Sequence, residues 1–190
     1  GGEVVWNATE RLVVAASGDW HDENEGYNER MTMTLAGGRE VVVDGKVRGG
    51  DVKLVAPSVR VGSSGLVSTT GHGTSTADRL TTSKEHGGSH GGEGGGGKSP
   101  FGSAKQPVTW GGSSETAEGG GAIHIVAAGN VTVEGTVESN GERGQSGGSA
   151  GGSVWIEAGD ALVGGGVVEG MLWRVVAWFA QLYCRRCTSC

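Results

Sequence analysis

The sequence predicts an all-β chain, a right-handed parallel β-helix or solenoid with a Gly-rich surface insertion and a short C-terminal helix. Three observations predict the β-helix: a segment that recurs, apolar residues that alternate within each copy, and glycines gathered at the joints between strands. GGAIHIVAAGNVTVEGTVE, from Gly120 to Glu138, aligns without a gap on GGSVWIEAGDALVGGGVVE, from Gly151 to Glu169, an offset of 31 residues. A third copy, from Gly49 to Gly71, matches the first when one residue is skipped in one place and two in another. A half copy precedes it, since EVVVDGKVRGG (Glu40 to Gly50) repeats the pattern of NVTVEGTVESNG (Asn130 to Gly141). Such repetition marks stacked units, none of which can bury its apolar face alone.

Each element follows from the alternation. Ile123 and Ile125, then Val131 and Val133, then Val137 are spaced two apart within each run, as are Val52 and Leu54, then Val59 and Val61, before Val67. Period two places these residues on one face of a strand. The runs are short and β-branched, and glycine, Ala-Gly-Asn or Ala-Pro-Ser separates them, so one unit holds about three strands in about 22 residues. A hairpin sandwich would need two-residue turn signals between paired strands and would not begin every unit alike. Stacked coils, about 4.8 Å apart, explain why like residues recur at like positions: a valine above a valine fills an interior column.

Composition removes other classes. Forty glycines but only 3 prolines among 190 residues, without a triplet period, exclude collagen. At 35 % hydrophobic and 19 % charged, the chain has the apolar material for a thin core, which speaks against wholesale disorder. A net charge of -6 supplies no basic field, so neither nucleic acid nor an anionic membrane surface is an expected partner. The opening Gly1-Gly2-Glu3 carries no initiator Met, basic segment or apolar core of a secretory signal, so a fragment or processed form is expected.

The domain reading is β-helix coils over 1–170, interrupted by a low-complexity loop at about 72–119, and an amphipathic helical tail over 171–190 ending in a Cys cluster. The insertion contains HGGSHGGEGGGGKS and little that could be buried, so a solvated surface loop is expected. A shorter loop, Gly141 to Gly152, leaves the next unit at the equivalent point, and both should emerge on one side. In the tail, Arg174, Trp178, Gln181 and Arg185 share one helical stripe, and Met171 to Tyr183 is too short to span a bilayer, which needs roughly 20 residues. Capping the open end of the coils is the expected role of that helix, and a foreign tail is the alternative.

GGSAGGSVWIEA (Gly147 to Ala158), with GGGAIHIVAAGNVTVEGTVESNG upstream, resembles the glycine-rich coils of large surface and secreted β-helix proteins of bacteria, algae and plants. It resembles, more loosely, the pectin-lyase-like superfamily. The resemblance covers about Glu40 to Gly71 and Gly119 to Gly170. It implies the coil fold and an extracellular or cell-surface location. It does not imply one activity, because that superfamily holds adhesins, structural spikes and polysaccharide-cleaving enzymes.

Chemical motifs are few. Gly92 to Ser99, GEGGGGKS, has the form of a phosphate-binding loop, but no strand leads in and Pro100-Phe101-Gly102 follows, where the working loop needs a helix N-terminus. His86 and His90, with Glu85 and Glu93, have the residue types of a zinc site on a tract with nothing to hold it rigid. Cys184, Cys187 and Cys190 supply three thiolates where a closed site takes four ligands, and read as an oxidisable tail. Polysaccharide cleavage would need acids and bases from neighbouring coils on one face, for which Asp51, Lys53, Arg60, Glu134, Glu138, Glu157 and Asp160 are the candidates. Glu138 and Glu169 fall at equivalent positions and would stack. Asn7 and Asn130 head the glycosylation sequons Asn-Ala-Thr and Asn-Val-Thr.

The reading is a non-enzymatic structural or adhesive β-helix module, a piece of a larger extracellular or cell-surface protein, with a pectin-lyase-like carbohydrate-active enzyme as the alternative. It assigns no catalytic, cofactor or metal residues and no cofactor. Expected partners are carbohydrate or extracellular matrix and further coils of the parent protein, with no nucleic acid and no membrane span.

Overall fold

The computed structural model describes residues 3–15, 19–21, 32–73, 87–91, 99–114, 116–144, 148–170, 172–176 and 179–182. Among them the chain is all-β, with three parallel sheets and no helix. The first sheet is ordered β1 (Glu3–Ala8), β4 (Thr32–Gly37), β7 (Asp51–Ala56), β10 (Ala122–Ala127), β13 (Ser153–Ala158) and β16 (Leu172–Val176). The second takes β2 (Arg11–Val14), β5 (Glu40–Val43), β8 (Ser58–Val61), β11 (Val131–Val133), β14 (Ala161–Gly164) and β17 (Phe179–Leu182). The third takes β3 (Asp19–His21), β6 (Lys46–Arg48), β9 (Leu66–Ser68), β12 (Thr136–Ser139) and β15 (Val167–Gly170). The chain thus visits the sheets in rotation, and every third strand is a hydrogen-bonded neighbour.

The pairing register reproduces the repeat. Ile123 lies beside Val154, 31 residues on, and beside Val52. Val131 lies beside Val59 and Thr136 beside Leu66, so the offset of the Gly49 copy slips by one residue and then by two, as its alignment requires. Interior columns follow: Met33, Val52, Ile123 and Val154; Leu35, Leu54, Ile125 and Ile156; Val41, Val59, Val131 and Leu162. All are essentially buried. Each neighbour removes the apolar surface its predecessor would expose, worth about 25 cal/mol per Å².

The glycines at the strand entrances have a steric cause. A Cβ on Gly152 would strike the carbonyl of Gly121 on the neighbouring rung, and one on Gly121 would strike that of Gly50. The backbones cross at this corner at a separation only glycine permits.

Two expectations are corrected. The tail over 171–190 does not begin as a helix: Leu172–Val176 and Phe179–Leu182 are strands, paired in parallel with β13 and β14. The open edges of those strands offer backbone partners to a segment rich in Val, Trp and Phe, and this pairing outweighs the helical spacing of its polar residues. Instead of a cap, the segment adds a partial rung. Cys184, Cys187 and Cys190 lie outside the described residues.

The insertion is also less bare than its composition implies. Of the described part, His90, Ser89, Ser113, Ser114 and Ala117 are buried. It shares hydrogen bonds with the shorter loop, from Glu142 N to Glu118 O (2.9 Å) and from Ala150 N to Gly112 O (2.9 Å), so both emerge at the corner between the third and first sheets.

Candidate functional site

Residues of the first sheet that alternate with the buried columns form its outward face. On β7 these are Asp51, Lys53 and Val55; on β10, Ala122, His124 and Val126; on β13, Trp155 and Glu157. Parallel pairing sets Lys53, His124 and Trp155 side by side on three successive strands. His124 stacks on Trp155, and its Nε2 lies 3.4 Å from the Glu157 carboxylate. The Trp155 Nε1 is buried with no hydrogen-bond acceptor among the described residues, at a cost of about 1–3 kcal/mol.

The insertion walls this face. His90 anchors it: its Nδ1 donates to the Gly151 carbonyl (2.7 Å), and Nε2 lies within hydrogen-bond distance of the Thr109 hydroxyl (2.8 Å). Phe101 packs on the same ring with centroids 5.1 Å apart, and Ser153 Oγ donates to the Thr109 carbonyl (2.5 Å). Two residues before Thr109, Pro107 and Val108 close one side of a groove of about 500 Å³ whose floor carries Asp51, Lys53, Val55 and His124. Burial pushes the Asp51 carboxyl above its ordinary pKa, against the pull of the Lys53 ammonium. Burial also holds His124 below its ordinary value, opposed by the hydrogen bond and charge of Glu157.

Among the described residues, neither Asp51 nor Lys53 makes a side-chain hydrogen bond or an ion pair. Several other charges are engaged. Arg60 bonds Asp44 (3.1 Å) and approaches Glu134 (3.7 Å) on the second sheet, and Arg11 pairs with Glu40 (2.8 Å). A larger trough, of about 1140 Å³, runs beside the turns from the first to the second sheet, but small apolar residues such as Ala56, Ala127 and Ala158 line it and it offers little chemistry.

Of the seven candidate acids and bases, Asp51, Lys53 and Glu157 therefore share one face, while Arg60 and Glu134 belong to a separate ion-pair cluster. Glu138 and Glu169 are register partners, as their equivalence predicts, but each carboxylate turns to a different donor, Ser68 Oγ (2.9 Å) and Asn140 Nδ2 (2.9 Å). Asp160 sits exposed in a turn. Asn7 and Asn130 are both exposed. His90 is spent on the scaffold, which leaves neither ring nitrogen for a metal, and its companion His86 lies outside the described residues, as do Gly92 to Lys98 of the phosphate-loop match. His124 and Trp155 are absent from the sequence-derived candidates. Alternation in AIHIV and SVWIE marks both as outward, and only the pairing register shows that they meet.

No family model, curated protein or solved structure matches the chain.

Proposed function

We propose that the chain is a right-handed parallel β-helix serving as a non-enzymatic structural or adhesive module of a larger extracellular or cell-surface protein. The observation that carries this reading is the rotation of the chain through three parallel sheets with like residues stacked in register, which makes a stiff rod with long lateral faces. Parallel crossover connections are right-handed in about 98 % of cases, which supports the hand. Most described charges on the faces are consumed in side-chain pairs such as Arg60 with Asp44, an arrangement that supports a scaffold more than a reaction centre. A panel of soluble glycans and matrix proteins tests the adhesive half: saturable binding without turnover is expected.

One observation favours a second reading, a carbohydrate-active enzyme. His124 and Glu157 form an imidazole and carboxylate pair beside Lys53, the residue types of general acid and base catalysis. Depolymerisation of an acidic polysaccharide, abolished by His124→Ala, would replace the first reading with this one.

A further inference from the structure

We infer that the groove between β7, β10 and the Pro107–Val108 wall is a binding site for an uncharged, polyhydroxylated ligand, the hexosyl units of a neutral glycan. The inference rests on the adhesive half of the reading above and names its ligand class.

The argument begins with the unused groups. Asp51 and Lys53 lie two apart on β7, on the same face, and neither is bonded to another side chain among the described residues. A half-buried carboxylate left without a donor is costly, since desolvation weakens its hydration and the pull of the Lys53 ammonium offsets that only in part. Elsewhere the chain has met that cost with partners, as at Asp44, Glu138, Glu157 and Glu169. Here an acceptor and a donor stand open side by side.

Their opposite signs select the ligand. An anion drawn to Lys53 would lie against Asp51, and a cation drawn to Asp51 would lie against Lys53; each gains one attraction and loses most of it to one repulsion. A hydroxyl suffers neither penalty, for it donates to the carboxylate through its hydrogen and accepts from the ammonium through its oxygen. Vicinal hydroxyls on a sugar ring present several such groups at close spacing. The rest of the groove suits the other character of a sugar, its C–H face. Val55 and Pro107 are apolar, and Val108 is 55 % exposed, an unusual display for a valine beside a charged pair. Thr32 on β4 adds a hydroxyl at the rim. A volume of about 500 Å³ lies within the range of small-ligand sites, and the groove is open enough to admit one part of a longer chain.

Neutral oligosaccharides of glucose, mannose and xylose, an oligogalacturonate as the anionic probe and an oligoglucosamine as the cationic one are titrated calorimetrically into the full chain, Asp51→Asn, Lys53→Met and, as control, Lys46→Ala on the third sheet. Circular dichroism checks that each variant is folded. At least one neutral oligosaccharide should bind, weakening by about tenfold or more in both Asp51→Asn and Lys53→Met and unchanged in Lys46→Ala, with little response to added salt. Binding confined to the oligogalacturonate, weakened by Lys53→Met and tightened by Asp51→Asn, overturns the neutral class, and the mirror result with oligoglucosamine does the same. Neutral glycan binding that survives both substitutions places the ligand elsewhere, so the site is wrong while the adhesive reading stands. If the folded chain binds none of these probes, the site inference falls, and the adhesive reading then depends on the matrix proteins of the wider panel.

Discussion

The ring of His124 lies against that of Trp155 on the adjacent strand, with centroids 4.5 Å apart and planes 18° from parallel. Burial of the imidazole at this position opposes its charged form. Because burial depresses the pKa of His124 in the fold, the unfolded chain takes up this proton first as pH falls. His124 therefore contributes stability that is present above the ordinary value of 6.5 and is lost as pH drops through the lower folded value. Chemical denaturation of the wild type between neutral and mildly acidic pH should show a decline that is smaller in His124→Gln. An equal decline in both proteins would assign the effect to other groups.

Asp51 has the opposite linkage. Its folded pKa is raised above 3.8, so its stabilising contribution is complete below that value and is lost as pH rises through the folded one. At neutral pH the ionised carboxylate is a burden on the fold. Asp51→Asn should raise the melting temperature at neutral pH, with a gain that shrinks toward acid. A loss of stability at neutral pH would mean that the carboxylate has an unseen partner.

Register decides the next outcome. Val133 is fully buried in the second sheet, whereas Thr132 faces outward. Val133→Asp should unfold the chain, since an unpaired buried carboxylate costs several kcal/mol, while Thr132→Asp should stay within about 0.5 kcal/mol. Equal damage from the two would refute the pairing of β8 with β11.

Two glycines make a sharper contrast. At Gly152 a Cβ meets the Gly121 backbone, whereas at Gly165 it meets nothing within 4 Å. Gly152→Ala should lower stability by about 2 kcal/mol or more, and Gly165→Ala should be neutral or stabilise by up to about 1 kcal/mol. Comparing urea midpoints of the two variants measures this directly.

The insertion should come loose from one side chain. His90→Ala leaves the Gly151 carbonyl and Thr109 hydroxyl without their partner and opens a cavity under Phe101, for about 2 kcal/mol or more. Tryptic cleavage at the exposed Lys105 should accelerate in this variant while the sheets retain their circular dichroism. Unchanged cleavage would show that other contacts hold the wall.

How much of this could be read from residues alone differs by element. Copies such as Ile123 to Val137 and Val154 to Val168 carry their register in their spacing, because the interior admits only apolar side chains at every second position. Leu172 to Val176 was harder to read, since a short apolar run fits either period until a free strand edge is available to pair with it. The groove depended on still less local information. Lys53 and His124 are 71 residues apart and become neighbours through strand pairing, and Val108 is held beside them by His90, buried against Gly151 in a tract that composition marks as a loop, and by the Ser153 bond to Thr109. Alternation reports which way a side chain faces; it does not report which strand comes to lie alongside.

The rotation of the chain through three sheets also turns contour length into distance. Each rung advances the structure by about 4.8 Å and touches only the rungs before and after it. Tension applied along the stack would load the terminal strands first, since each of them is paired on one side alone. Beyond them it would meet a continuous buried interior that runs from Val14 to Leu162, so the inner strands share the load.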